Sequence, residues 1–176
     1  MKLSSVVLAG ALALGTMVAP AGAQTFVPDQ LKKSVVTGDL AAVVGSLGHQ
    51  VLEQGDADNV LVLAENEDQI KYVILGTACD IDGVAGCQGL LIQTQFDLPP
   101  GTTYETVARA NLEYVALNVW VDFKQKSLGF TRYVVLDDGV TMANIRANVE
   151  VLLGLIGDAY PVAAGEAVIT EPETGA

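Results

Sequence analysis

Between His49 and Phe96 the chain carries four β-type runs with only turns and one short loop between them, and this constrains the fold more than any other feature. The runs are His49–Gln54, Asn59–Ala64, Ile70–Ala78 and Gly89–Phe96, separated by Gly55-Asp56, by the acidic stretch from Glu65 to Asp68, and by CDIDGVAGC at 79–87. Connections this short join antiparallel neighbours, because a parallel crossover needs about a dozen residues or more. In the last run Leu90, Ile92, Thr94 and Phe96 alternate with Leu91, Gln93 and Gln95. That alternation is expected when one sheet face is covered and the other is wetter.

Helical periodicity brackets this block. Leu40, Val43, Val44 and Leu47 fall at i, i+3, i+4 and i+7 and predict a helix over Thr37–Leu47. Thr37 can cap its start and Gly48 can close it in the left-handed conformation. Pro99-Pro100-Gly101 ends the strand run. Thr102 with Glu105 then reads as a capping box for a second helix reaching about Tyr114. Two more strands are expected at Asn118–Lys124 and Ser127–Leu136. A third helix should follow Asp137-Asp138-Gly139 and run to about Ile156, with Met142, Ile145, Val149, Leu152, Leu153 and Ile156 as its apolar stripe. The order predicts an α+β domain with an antiparallel sheet of five to six strands and three helices.

The ends read differently. Residues 1–23 have one charge at Lys2, an apolar run from Val6 to Val18, and small residues closing on Ala21-Gly22-Ala23. This is the three-part pattern of a secretory signal peptide, with cleavage expected between Ala23 and Gln24 and a periplasmic or secreted destination. Residues 24–36 lead into a domain at 37–157. Residues 158–176, rich in Pro, Glu and Ala, read as a disordered acidic tail.

Export decides how the two cysteines read, since disulfides persist in oxidising compartments. Cys79 and Cys87 are expected to form one bridge. A calcium loop is disfavoured because Val84 and Ala85 break the oxygen-ligand series begun by Asp80 and Asp82. Zinc would need more ligands than two cysteines supply, and a thioredoxin-type site needs two intervening residues. No metal or cofactor is expected.

Charge narrows the partners. The chain has 9 Lys+Arg and 21 Asp+Glu; loss of Lys2 with the leader leaves 8 basic against 21 acidic residues, a net −13. Phosphate backbones and anionic lipid surfaces repel such a chain, so neither nucleic acid nor, after cleavage, a membrane is an expected partner.

The segments LAAVVGSLGHQVLEQ, YVILGTACDIDGVAGCQGLLIQTQFDL and ANLEYVALNVWVDF, followed by RYVVLDDGVTMANIRANVEVLL, resemble the YbjN family, also called bacterial sensory transduction regulators. The likeness spans about residues 37–157. Its most specific parts are the Cys pair in mid-sheet, Asn111 and Asn118, and Asp-Gly-Val-Thr before the last helix. The resemblance implies a type III secretion chaperone-like fold and a module that pairs and holds a partner chain. It implies no catalysis. Those chaperones act in the cytoplasm, whereas the leader here predicts export.

An enzyme is not expected. His49 is the sole histidine, and Ser46 beside it in VGSLG lacks the first glycine of a nucleophile elbow. The pairs Asp56/Asp58, Glu65/Glu67 and Asp137/Asp138 fall in turns, where Asp serves backbone hydrogen bonding. Two classes remain. One is a protein-binding module, chaperone-like or regulatory, acting as a homodimer or on a client. The other is a periplasmic sensor with a small-ligand pocket.

The hairpin near Gln125-Lys126 supplies a candidate surface. A two-residue turn there would set Phe123 opposite Leu128 and Val121 opposite Phe130 on the covered face. Trp120, the only tryptophan, then falls on the other face as a diagonal neighbour of Tyr133. Trp and Tyr are enriched where proteins meet, so this face is the expected contact surface.

Overall fold

The structure, a computed structural model, describes residues 24–166. The leader, including Ala23 of the expected cleavage site, and the last ten residues lie outside them. Gln24 is exposed, with its side chain beside Gly38.

The elements in order are β1 (Leu31–Lys32), α1 (Thr37–Ser46), β2 (Gln50–Gln54), β3 (Leu61–Glu65), β4 (Lys71–Cys79), β5 (Cys87–Asp97), α2 (Tyr104–Glu113), β6 (Asn118–Asp122), β7 (Ser127–Val135), β8 (Val140–Thr141) and α3 (Met142–Ala164). Six strands form one antiparallel sheet in the order β2-β3-β4-β5-β7-β6, and β1 pairs with β8 in a second, two-stranded sheet. This is the expected α+β architecture. Short turns make it so: Asn66 accepts from the Ile70 amide across the β3–β4 turn, and Gln69 takes a positive φ of 62°.

The three helices of the described residues lie on one side of the large sheet. α1 and α2 each touch α3, while α1 meets β2 and β3, α2 meets β6, and α3 meets β5 and β7. Val62, Ile74, Ile92, Leu128 and Phe130 point into this layer and join Leu40, Val43, Ile145, Val149 and Leu152 in one core.

The tail expectation needs correction. Residues 158–164 are helical, and α3 ends at Ala164 with Gly165 left-handed at φ 75°. Composition suggested disorder, and Pro161 removes one helix hydrogen bond. Tertiary packing outweighs that loss. Ala159 and Ala163 are fully buried, Tyr160 packs on Phe96 at 5.3 Å between ring centroids, and Thr106 Oγ1 donates to the Ala163 carbonyl at 2.8 Å.

The lead-in is likewise part of the fold. The Gln30 and Pro28 carbonyls accept from the first α3 amides, Met142 and Ala143. Val35 is buried and exchanges both backbone hydrogen bonds with Cys87. Lys32 lies 2.6 Å from Asp39, which is itself buried and accepts from the Val36 amide at the start of α1. Asp39 therefore serves the cap role expected of Thr37, whose hydroxyl donates instead to the Asp56 carbonyl. In α2 the capping box sits one residue later than expected, at Thr103 and Thr106.

The β6–β7 hairpin also departs from expectation. Val121 pairs with Leu128, Val119 with Phe130 and Trp120 with Gly129. The loop is four residues, 123–126, because the Asp122 carboxylate accepts from the Lys124 and Gln125 amides and Lys126 takes φ 53°. The register shifts by two, an even number, so the side chains that remain in the strands keep their predicted faces, but Phe123, expected on the covered face opposite Leu128, lies in the loop, exposed against Tyr104.

Candidate interaction surface

The helix-free side of the large sheet is the candidate site, and register defines it. Successive cross-strand rows read Trp120–Gly129–Gln95, then Asn118–Thr131–Gln93–Val73–Leu63, then Tyr133–Leu91–Leu75–Leu61, then Val135–Gly89–Thr77. Tyr133 is 54% exposed and Val135 59%, while Leu61, Leu63, Val73, Leu75, Leu91 and Trp120 are half-buried by their neighbours. Every side chain in these rows is uncharged, and a charge is met beyond them at Glu53 of the edge strand β2, opposite Leu63. Among the described residues nothing covers this apolar face, and exposed apolar patches are where interaction sites are sought.

Two strand glycines organise its aromatics. The Trp120 ring occupies the space a Cβ on Gly129 would need, and the Tyr133 hydroxyl does the same over Gly89. Tyr133 also shares a 2.9 Å hydrogen bond with Thr77 Oγ1. Trp120 and Tyr133 thus share the face as expected. They are two rows apart rather than diagonal neighbours, a separation of about 14 Å along the strands. A lone glycine inside a strand signals close approach of another group, so Gly89 and Gly129 could have shown this from sequence.

The edges of the sheet are managed differently. At β6 the Asn111 side chain donates to the Val119 carbonyl and accepts from the Val119 amide, both at 2.9 Å, so α2 closes that edge. At the other edge β2 is short, exposed and bulged between Val51 and Glu53. A second apolar surface lies on α2 and the loop after it, where Leu112 is 80% and Val115 84% exposed and Tyr104 stacks edge-on to Phe123. Sequence reasoning missed it, although Tyr104, Ala108, Leu112 and Val115 carry helical spacing.

Cys79 and Cys87 are directly paired across β4 and β5 and joined by a disulfide. Cys87 is fully buried against Gly76 and Val60. The loop they close borders a cleft of about 740 Å³ between Thr37 and Gly38 of α1, Asp56 and Asp58 of the β2–β3 turn, and Ala85 and Gly86.

His49 and Ser46 do not meet. Ser46 Oγ donates to the Val43 carbonyl, and His49 Nδ1 lies 2.8 Å from the Tyr72 hydroxyl. Burial pushes the Tyr72 hydroxyl pKa up, so the phenol keeps its proton, and the imidazole tautomer sets which of the two groups donates. Burial lowers the His49 pKa below 6.5, against the opposing pull of Glu67 and Glu150. A folded pKa below the unfolded one means that the unfolded chain binds the proton better. Stability is therefore full above about pH 6.5 and declines as pH falls from there toward the folded pKa. His49→Gln is expected to flatten that part of the stability profile, measured by urea melts between pH 7.5 and 5; an unchanged slope would contradict it.

The family model for YbjN, "Putative bacterial sensory transduction regulator", matches residues 38–164. The chain belongs to the YbjN family. The match reaches Ala164, the end of α3. The crystal structure of YbjN from E. coli is similar at 13% identity and a TM-score of 0.50, over 73% of this chain and 96% of that one. The chaperone SchA in complex with the effector HopA1 is similar at 12% identity and a TM-score of 0.48, over 71% and 88%. The ExsC–ExsE complex is similar at 15% identity and 0.48, over 67% and 85%. No curated protein matches the sequence.

Proposed function

We propose that this YbjN-family chain is an exported, non-enzymatic module that binds a polypeptide partner on the helix-free face of its large sheet. The observation that carries the reading is that face itself: free of charge across its central rows from β6 to β3, and without a covering layer among the described residues. Export rests on the leader pattern and agrees with the cysteine bridge.

The test is photo-crosslinking in the envelope. A crosslinker at Val135 is expected to trap a discrete protein partner, and one at Glu105 on α2 is not. Trp120→Ser should cut the Val135 adduct severalfold. It should lower the thermal midpoint by only a few degrees, because the ring is half-buried over Gly129. No adduct at Val135, or equal adducts at both sites, would refute the reading. An adduct with a second copy would replace the client by a homodimer.

The cleft of about 740 Å³ supports a second reading, a sensor for a small ligand, because it falls in the size range of ligand pockets. A metabolite retained in native mass spectra of the exported protein, and lost in Gly38→Trp, would favour it.

A further inference from the structure

The bridge between Cys79 and Cys87 has one fixed end and one loose end. Cys87 is fully buried and exchanges both backbone hydrogen bonds with Val35, and its Sγ lies so close over Gly76 that a Cβ there would overlap it. Cys79 is exposed at the end of β4.

The chain around Cys79 is held in a conformation that side chains rarely adopt. Ala78, Asp80 and Asp82 have φ of 51°, 54° and 53°, and they are half of the six non-glycine residues with positive φ among the described residues. Aspartate tolerates this region, but alanine has no side-chain hydrogen bond to offset the crowding of its Cβ. Ala78 and Asp80 stand on either side of Cys79, so the strained segment coincides with the bridge. Strain of this kind persists only where the surroundings impose it. The other ties of the loop are the Asp80 amide to the Gly86 carbonyl and the Gly86 amide to Asp80 Oδ1, both at 2.9 Å. Water can replace them, because every residue from Ala78 to Ala85 is exposed.

Breaking the bond forces a movement. Two thiol sulfurs separate to van der Waals contact, and Cys87 has no room to withdraw. Cys79 must move outward and carry the loop with it. Asp80, Ala85 and Gly86 of that loop form one wall of the cleft that faces the start of α1 and the β2–β3 turn.

We propose that the bridge is a redox-sensitive latch: a dithiol reduces it in the folded protein, the strained segment around Cys79 relaxes, and the loop wall of the cleft opens. A thiolate of the dithiol attacks the exposed Cys79 sulfur, the Cys79–Cys87 bond breaks, and Cys87 leaves as a thiolate that takes up a proton. The second thiol of the reductant then attacks the mixed disulfide, which forms the reductant's own disulfide and releases Cys79. Two electrons and two protons pass from the dithiol to the two cysteines. The latch does not depend on what the sheet face or the cleft binds.

The experiment equilibrates the oxidised chain from Gln24 to Ala176 with graded ratios of reduced to oxidised dithiothreitol. Alkylation and mass spectrometry count the thiols, and Trp120 fluorescence follows the fold. Half-reduction is expected with the fluorescence unchanged. Endoproteinase Asp-N is then expected to cut before Asp80 or Asp82 about tenfold faster than in the oxidised chain. Ala78→Gly relieves the left-handed strain of the oxidised form, so it is expected to raise the ratio needed for half-reduction about fivefold. Cys79→Ser combined with Cys87→Ala should be cut as fast as the reduced chain and still melt cooperatively.

A bridge that yields only as the fluorescence reports unfolding would overturn the latch, and so would loss of the cooperative melt in the double variant. Reduction that leaves cleavage at Asp80 and Asp82 as slow as before would overturn the opening of the wall. An unchanged ratio in Ala78→Gly would show that the left-handed segment survives reduction and would overturn its relaxation.

Discussion

Replacing Phe130 with Ala is expected to cost about 3–5 kcal/mol, a large share of the roughly 5–15 kcal/mol that holds a typical domain together. Phe130 has no exposed surface and lies at the centre of β7, paired with Thr94 on one side and Val119 on the other. Its ring meets Phe96 edge-on at 6.0 Å and Tyr160 at 6.4 Å, so truncation opens a cavity beneath the sheet and removes the surface on which the end of α3 packs. The expected readout is a fall in the urea midpoint with little change in slope. A loss below about 1.5 kcal/mol would mean that the site collapses around the cavity and that the aromatic trio is not the anchor of residues 158–164.

Asn111→Ala is expected to cost about 2–4 kcal/mol and to make the protein associate. The 4% exposed Val119 depends on the Asn111 amide for both its N–H and its C=O, and an unpaired buried group costs about 1–3 kcal/mol. The same change uncovers an edge strand, and open edges pair with other chains. Urea melts measure the first effect, and light scattering across a concentration series measures the second. A variant that remains monomeric and loses under about 1 kcal/mol would show that water replaces the amide.

The face argued to bind a partner was legible because its code is local. Side chains alternate across a strand, so Trp120 and Tyr133 could be placed together without knowing the turn, and the two-residue register error left them there. The error came from Asp122, whose carboxylate captures two loop amides and lengthens the turn. The tie between the β4–β5 loop and the end of β7 was not legible: Ile81 and Leu136 are 55 residues apart in the chain, and Gln88 bonds to both.

Sequence by itself determined the order of the six strands of the large sheet and the three helices, their antiparallel arrangement, the apolar stripe of α3 and the pairing of the only two cysteines, because periodicity, turn chemistry and proximity in the chain are local properties; it did not show the β1–β8 pair. Only the tertiary structure decided that residues 28–35 cap α3 and pair with Cys87, that the helix continues through Pro161, and that Asn111 closes an edge. Each of these depends on a partner far along the chain. The burial or hydrogen bond gained there outweighs a weak or contrary local propensity.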